Sequence, residues 1–168
     1  MSASKQQRFL INYLIKFNVL RRSDPRRREN DMIARLESLC PLAGRIVLGL
    51  YFILPGGLMK IFNYQGTADY MAAHGMVMIP FFLVLTIIIQ LGAGAALIAG
   101  YKAQIAAFLL AGLTLVISLV MHDFWDITEA VQRGHDTQTF VKNLGIIAGL
   151  LVLSGLGAGP FSLDQRKA

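Results

Sequence analysis

The chain has 168 residues, 55% of them hydrophobic and only 15% charged, whereas soluble domains carry about a quarter charged residues; an ordinary soluble domain is excluded. The formal net charge is +6, but residues 1–45 hold ten Lys/Arg against four Asp/Glu and the rest of the chain six of each. A basic excess confined to one segment that leads into an apolar block argues for anionic lipid at a membrane surface and against nucleic acid.

Residues 1–22, "MSASKQQRFLINYLIKFNVLRR", begin like a signal peptide. However, Asn12 and Lys16 interrupt the apolar stretch, and Arg21-Arg22 stand where a small-residue cleavage site belongs. Lys5, Arg8, Asn12 and Lys16 share one face of a helix, with Phe9, Leu10, Tyr13, Leu14 and Phe17 elsewhere on it. That pattern predicts an interfacial amphipathic helix, with a partly disordered tail as the alternative. "RRSDPRRREN" (21–30) reads as a solvated linker broken at Pro25. Residues 31–39, "DMIARLESL", predict a short second amphipathic helix with Met32, Ile33, Leu36 and Leu39 on one side. Pro41 then suits the first turn of the next helix.

Four apolar segments follow, at about 42–62, 77–99, 103–121 and 140–159. Roughly twenty residues at about 1.5 Å each cross about 30 Å of hydrocarbon. No period-two alternation appears, so a membrane barrel is disfavoured. The expected fold is all-α: a membrane-embedded antiparallel four-helix bundle (42–164) behind a basic amphipathic cytoplasmic extension (1–41). Leu54-Pro55-Gly56-Gly57 should kink or locally open the first span. The third helix is expected to run past the membrane to about Arg133, with Gly134 as its stop and Asp136 or Thr137 capping the fourth. Trp125 then sits at the outer interface, where indoles are enriched.

With the N-terminus inside, thirteen Lys/Arg fall on the cytoplasmic side and three (Lys60, Arg133, Lys142) outside. The positive-inside bias therefore predicts both termini in the cytoplasm and the 122–139 stretch outside.

Helix periodicity marks inward stripes. The third helix gives Gln104, Ala107, Ala111, Thr114, Ser118 and His122. The first gives Arg45, Gly49, Phe52, Gly56 and Lys60, and the second Thr86, Gln90 and Gly94. In the fourth, Gly145 and Gly149 form a small-xxx-small packing pair. Ionisable residues at a span are costly and point to function. An outer cluster of Lys60, His122, Asp123, Trp125, Lys142 and Asn143 is the candidate ligand pocket. Arg45 and Gln90 are the candidate intramembrane polar pair, structural in role. The bland alternatives are snorkelling for Lys60, Lys142 and Arg45, and an interfacial hydrogen-bonding role for His122.

Other chemistry finds little footing. The single Cys40 allows no intramolecular disulfide and no CxxC or CxxCH motif. No nucleotide-binding motif follows a strand, and no pair of deep histidines suggests haem. The spacing of His74, His122 and His135 is not diagnostic of a metal site.

Taken together, "GRIVLGLYFILPGGLMKIFNY", "YMAAHGM", "IIIQLGAGAALIAGY", "MHDFW" and "FVKNLGIIAGLLVLSGLGAGPFSLD" resemble the DoxX family of small prokaryotic membrane proteins. The resemblance covers residues 42–164 and rests on Arg45, Gly57, Lys60, His122, Phe124, Trp125, Lys142 and Asn143. It departs at Gln90, where the family pattern usually has Glu. It implies a multi-pass protein of the cytoplasmic (inner) membrane, with name-giving members that resemble subunits of quinone-linked oxidoreductases, and others associated with oxidative-stress systems.

Three functions compete. The first is an accessory subunit of a redox system with a quinone-facing pocket, in which His122 donates to a quinone carbonyl, Lys142 and Asn143 position it and Asp123 orients His122. The second is a non-catalytic adaptor that docks a cytoplasmic partner through its basic N-terminal segment. The third, a solute or proton carrier, is least favoured because one neutral mid-span polar residue makes a thin pathway.

Overall fold

The computed structural model describes residues 25–166; the amphipathic helix expected at 1–22 lies outside them. The first described element is helix α1, Pro25–Tyr51. It runs without a break through the described part of the expected linker (25–30), the expected short helix and Pro41. Pro41 removes one backbone bond and crowds the carbonyl of Glu37, a local loss that a long helix absorbs. Met32, Ile33, Leu36 and Leu39 are all exposed.

From Pro41 onward the chain packs as one unit. Here the Pro55-Gly56-Gly57 sequence has its effect. Residues Phe52–Leu58 are π-helical, and the Met59 N–H reaches back five residues to the Leu54 carbonyl. Proline supplies no N–H and two glycines add backbone freedom, so the wider turn forms where the ordinary ladder is weakest. Two short helices follow, α2 (Met59–Phe62) and α3 (Tyr64–Ala73).

Helices α4 (Ile79–Ala99) and α5 (Ala103–Met121) form an antiparallel pair joined by Gly100-Tyr101-Lys102. Helix α6, Ala130–Leu156, completes the bundle and shares its most extensive interface with α5. Among the described residues, four stretches are long and apolar enough to cross a membrane: Met32–Phe62, Ile79–Ala99, Ala103–Met121 and Ala130–Leu156.

The main core joins Phe52, Leu97, Leu110 and Leu150 to the alanine face of α5: Ala103, Ala106, Ala107 and Ala111. Between lipid-embedded helices the hydrophobic effect gives little drive, and small side chains let backbones approach closely. Gly49 and Gly94 serve the same end. A Cβ on Gly49 would lie 2.7 Å from the Gly94 carbonyl oxygen, so α1 and α4 touch backbone to backbone there.

Two expectations are corrected at the turn between the third and fourth spans. Helix α5 stops at Met121, not near Arg133, and α6 begins at Ala130, ten residues earlier than the apolar run suggests. Gly134 is inside α6. The cap is Glu129, whose carboxylate accepts from the N–H groups of Val131 and Gln132. A polar first turn hides this start from hydropathy. The inward seam of α6 is Asp136, Asn143 and Leu150, one residue every two turns. Gly145 and Gly149 lie on its exposed face, with nothing within 4 Å of where a Cβ would stand, so they are not packing contacts within this bundle.

Candidate ligand site at the Lys60–His122 junction

The π-helical segment brings Lys60 into the bundle. Its ammonium donates to the Gly56 carbonyl at 2.8 Å and to Gln90 Oε1 at 3.1 Å. Gln90 itself is buried, and its amide lies against Gly56, where a Cβ would come within 3.0 Å. A larger residue at 56 would push Gln90 off Lys60.

His122 caps the C-terminal end of α5. Its Nδ1 stands 3.0 Å from Asp136 Oδ1, and the other oxygen of that carboxylate accepts from Gln132 Nε2 at 2.6 Å. The Asp136 carboxylate thus fixes the ring through Nδ1–H and leaves Nε2 for other partners. Deeper along the same face, Asn143 Nδ2 donates to Ser118 Oγ at 2.9 Å. Ser118 and Thr114 each donate a hydroxyl hydrogen bond to the carbonyl four residues back, at 2.7 Å. These buried groups find their partners within the bundle, as a lipid-embedded structure requires.

Two cavities meet at this junction. One, about 600 Å³, is an apolar chamber between α4 and α5 walled by Phe82, Leu83, Ile89, Phe108, Leu113 and Val116. The other, about 210 Å³, is more polar and is lined by Gln90, Thr114, Thr139, Lys142 and Asn143. Lys60, Ile117 and His122 line both. Tyr70, on α3, lines the chamber near its polar end and donates its hydroxyl to the Met121 carbonyl at 3.0 Å. Burial, and then the nearby carboxylates of Asp136 and Asp123, push its phenol above the ordinary value, which keeps it a donor.

The structure therefore gathers Lys60, His122, Lys142 and Asn143 around one junction and sets two expected members apart. Asp123 does not orient His122; its carboxylate lies 3.9 Å from His74 Nε2. The one-residue step from His122 to Asp123 turns the two side chains in different directions once the helix has ended. Trp125 is exposed and stacks edge-on with Phe124 and Phe140. The expected Arg45–Gln90 pair is also corrected. Gln90 is taken by Lys60, whereas fully buried Arg45 donates to the Phe161 carbonyl at the other end of the bundle. There the returning C-terminal segment places Asp164 over the start of α5, accepting from the N–H groups of Lys102 at 2.8 Å and Ala103 at 3.1 Å. Two site residues, Asp136 and Tyr70, escape the sequence reading. Its expectation for Asp136 is a helix cap, although the spacing of seven from Asn143 and again to Leu150 marks a seam.

Four apolar spans around a polar junction define a small integral membrane protein of the four-helix type. Residues 40–123 match the DoxX family, and the chain belongs to it. It is 34% identical over 132 residues to inner membrane protein YqjF of Escherichia coli, covering 78% of this chain and 94% of that one. It is 32% identical over 126 residues to inner membrane protein YphA of the same organism, covering 74% and 88%. A Surfeit locus protein 4 homolog of Schizosaccharomyces pombe is 31% identical over 118 residues, covering 70% of this chain but 38% of the longer relative. No solved structure matches the chain.

Proposed function

We propose that this protein binds a lipid-soluble quinone in the chamber between α4 and α5, as the membrane subunit of a redox system in a bacterial inner membrane. The observation that carries this reading is the meeting of an apolar chamber of about 600 Å³ with the Lys60 ammonium, a donor, and the His122 ring, which donates from Nε2 when doubly protonated, at one end. Ligand pockets for molecules of this size are typically about 300–1,000 Å³, largely apolar, with a few placed polar groups. A quinone head group needs donors at its carbonyl oxygens, and its isoprenoid tail needs a hydrocarbon wall; the junction and chamber supply both. When bound, a quinone supplies two-electron, two-proton redox chemistry, with the electron pair exchanged through a reduced partner subunit. The chain's own contribution is to hold and orient the head group and to move a proton at His122 Nε2, with Asp136 steadying the imidazole.

The inner-membrane location follows the bacterial relatives YqjF and YphA. The distribution of thirteen Lys/Arg against three favours cytoplasmic termini and an outward-facing junction.

The test is lipid extraction of the purified protein and titration of the stripped protein with a short-chain ubiquinone in nanodiscs. Bound quinone is expected at near-stoichiometric level, and Lys60→Met with His122→Ala should weaken affinity by about tenfold or more, the worth of a lost hydrogen bond or two. A protein that carries no quinone and binds none would remove this reading and leave the docking role of the basic segment in its place.

A further inference from the structure

We propose that the smaller, polar cavity is an aqueous inlet: it enters the bundle beside Lys142 and Thr139 and ends on Lys60 and His122, so that the polar end of the ligand chamber exchanges protons with water from one membrane face only. Its proton-supplying role rests on the quinone reading above; its geometry does not.

The cavity's volume of about 210 Å³ is room for several water molecules. Apolar voids stay dry, but water enters where it finds several polar partners. Here it meets the Lys60 and Lys142 ammoniums, the amides of Gln90 and Asn143, and the hydroxyls of Thr114 and Thr139. The rim is open, since Lys142, Tyr51 and Pro55 are exposed and Thr139 half-buried, with the polar groups on the Lys142 side, and the inner end is closed, since Gln90, Thr114 and Asn143 are buried. The apolar chamber shares only Lys60, Ile117 and His122 with it. Those three side chains are the partition between a wet compartment and a lipid-like one.

His122 is the member able to pass a proton across that partition. Nδ1 is committed to Asp136, so transfer runs through Nε2. As the partner's electron pair reaches the ligand, the doubly protonated ring gives its Nε2 proton to the ligand's carbonyl oxygen and is left neutral with its remaining proton on Nδ1; Nε2 then takes a proton from hydronium in the inlet, and Asp136 remains a carboxylate throughout. The titratable groups facing His122 are Asp136 and, across the inlet, Lys142 on α6, Lys60 on α2 and Tyr70 on α3.

The inlet is tested by cysteine accessibility in membrane vesicles holding the full chain, with Cys40→Ser as background. The probe is sulfonatoethyl methanethiosulfonate, an anion that the two ammoniums attract. Thr114→Cys, deep in the inlet, should react within about tenfold of Thr139→Cys at its mouth. Gly112→Cys, in the apolar chamber, should react about a hundredfold more slowly, because a charged reagent does not enter a hydrocarbon environment. Thr139→Trp should cut modification of Thr114→Cys by about tenfold by filling the mouth. The inlet is overturned if Thr114→Cys reacts as slowly as Gly112→Cys while both react fully after SDS denaturation, or if Thr139→Trp leaves the rate unchanged. Quinone titration of the parent protein is a separate measurement. Its failure alone removes the ligand reading, and labelling failure alone removes the inlet.

Discussion

His122 Nδ1 and Asp136 Oδ1 stand 3.0 Å apart across the turn between α5 and α6, and the contact ties the end of one span to the start of the next. Asp136 is buried in this position, so its removal leaves a shielded ring N–H without an acceptor. Asp136→Ala is expected to cost about 2 kcal/mol of stability in detergent. In a His122→Ala background the same change should cost about 1 kcal/mol less, since the two residues share one interaction. Equal costs in both backgrounds would mean that Asp136 acts through Gln132 alone.

Lys60 and Gln90 give a second test. Gln90→Leu removes the side-chain oxygen that accepts from the Lys60 ammonium and should cost about 1–2 kcal/mol, falling towards zero with Lys60→Met. Gln90→Glu should be tolerated in folding, because the ammonium gains a charged partner. That partner competes with a ligand, so quinone affinity should fall by about tenfold, or about 1.4 kcal/mol. Paired thermal melts and quinone titrations separate the two effects.

Much of the bundle was legible in the sequence because lipid imposes a simple rule. A backbone that cannot reach water must be helical and long enough to cross, and the four apolar blocks announce this. Most of the inward stripe of α5 was legible for a similar reason: Ala107, Ala111, Thr114 and Ser118 recur at helical spacing, and all four are buried, whereas Gln104, expected to begin the stripe, is exposed at the helix's first turn. The start of α6 was not, because polar Ala130–Thr139 reads as the tail of the preceding helix, a Gly134 stop and a new cap, and a helix held by Glu129 and by the His122–Asp136 contact needs no apolar first turns. Pairings across helices were the least legible. Arg45 and Gln90 share a plausible depth, but depth does not say which residue the π-helical turn will swing into reach, and it is Lys60.

The opposite end of the bundle carries its own prediction. Asp164 accepts from the first N–H groups of α5, and Arg45 holds the neighbouring Phe161 carbonyl. Asp164→Ala should cost about 1 kcal/mol, as losing a helix cap does. Both Asp164→Ala and Arg45→Leu should make residues 157–166 sensitive to protease in detergent while α4–α6 stay intact. Protection equal to that of the parent protein would show that packing alone retains the segment.

Glu129 sets a pH dependence. Hydrogen bonds from the Gln132 and Val131 N–H groups hold its carboxyl below the usual glutamate value. A depressed folded-state value stabilises the folded form fully above the unfolded-state value, and the contribution disappears as pH falls through the lowered one. Amide exchange protection at the start of α6 should therefore hold steady down to about pH 5 and decline below it. Glu129→Gln should abolish that decline; an unchanged decline would assign it to another carboxylate.

The quinone reading is tested most directly by photolabelling the protein in nanodiscs with an azido-quinone and mapping the modified peptides. Label should concentrate in residues 82–89 of α4 and 108–121 of α5, the walls of the chamber, and fall by about tenfold with Lys60→Met and His122→Ala together. Label spread evenly over all four spans, and indifferent to both substitutions, would contradict it.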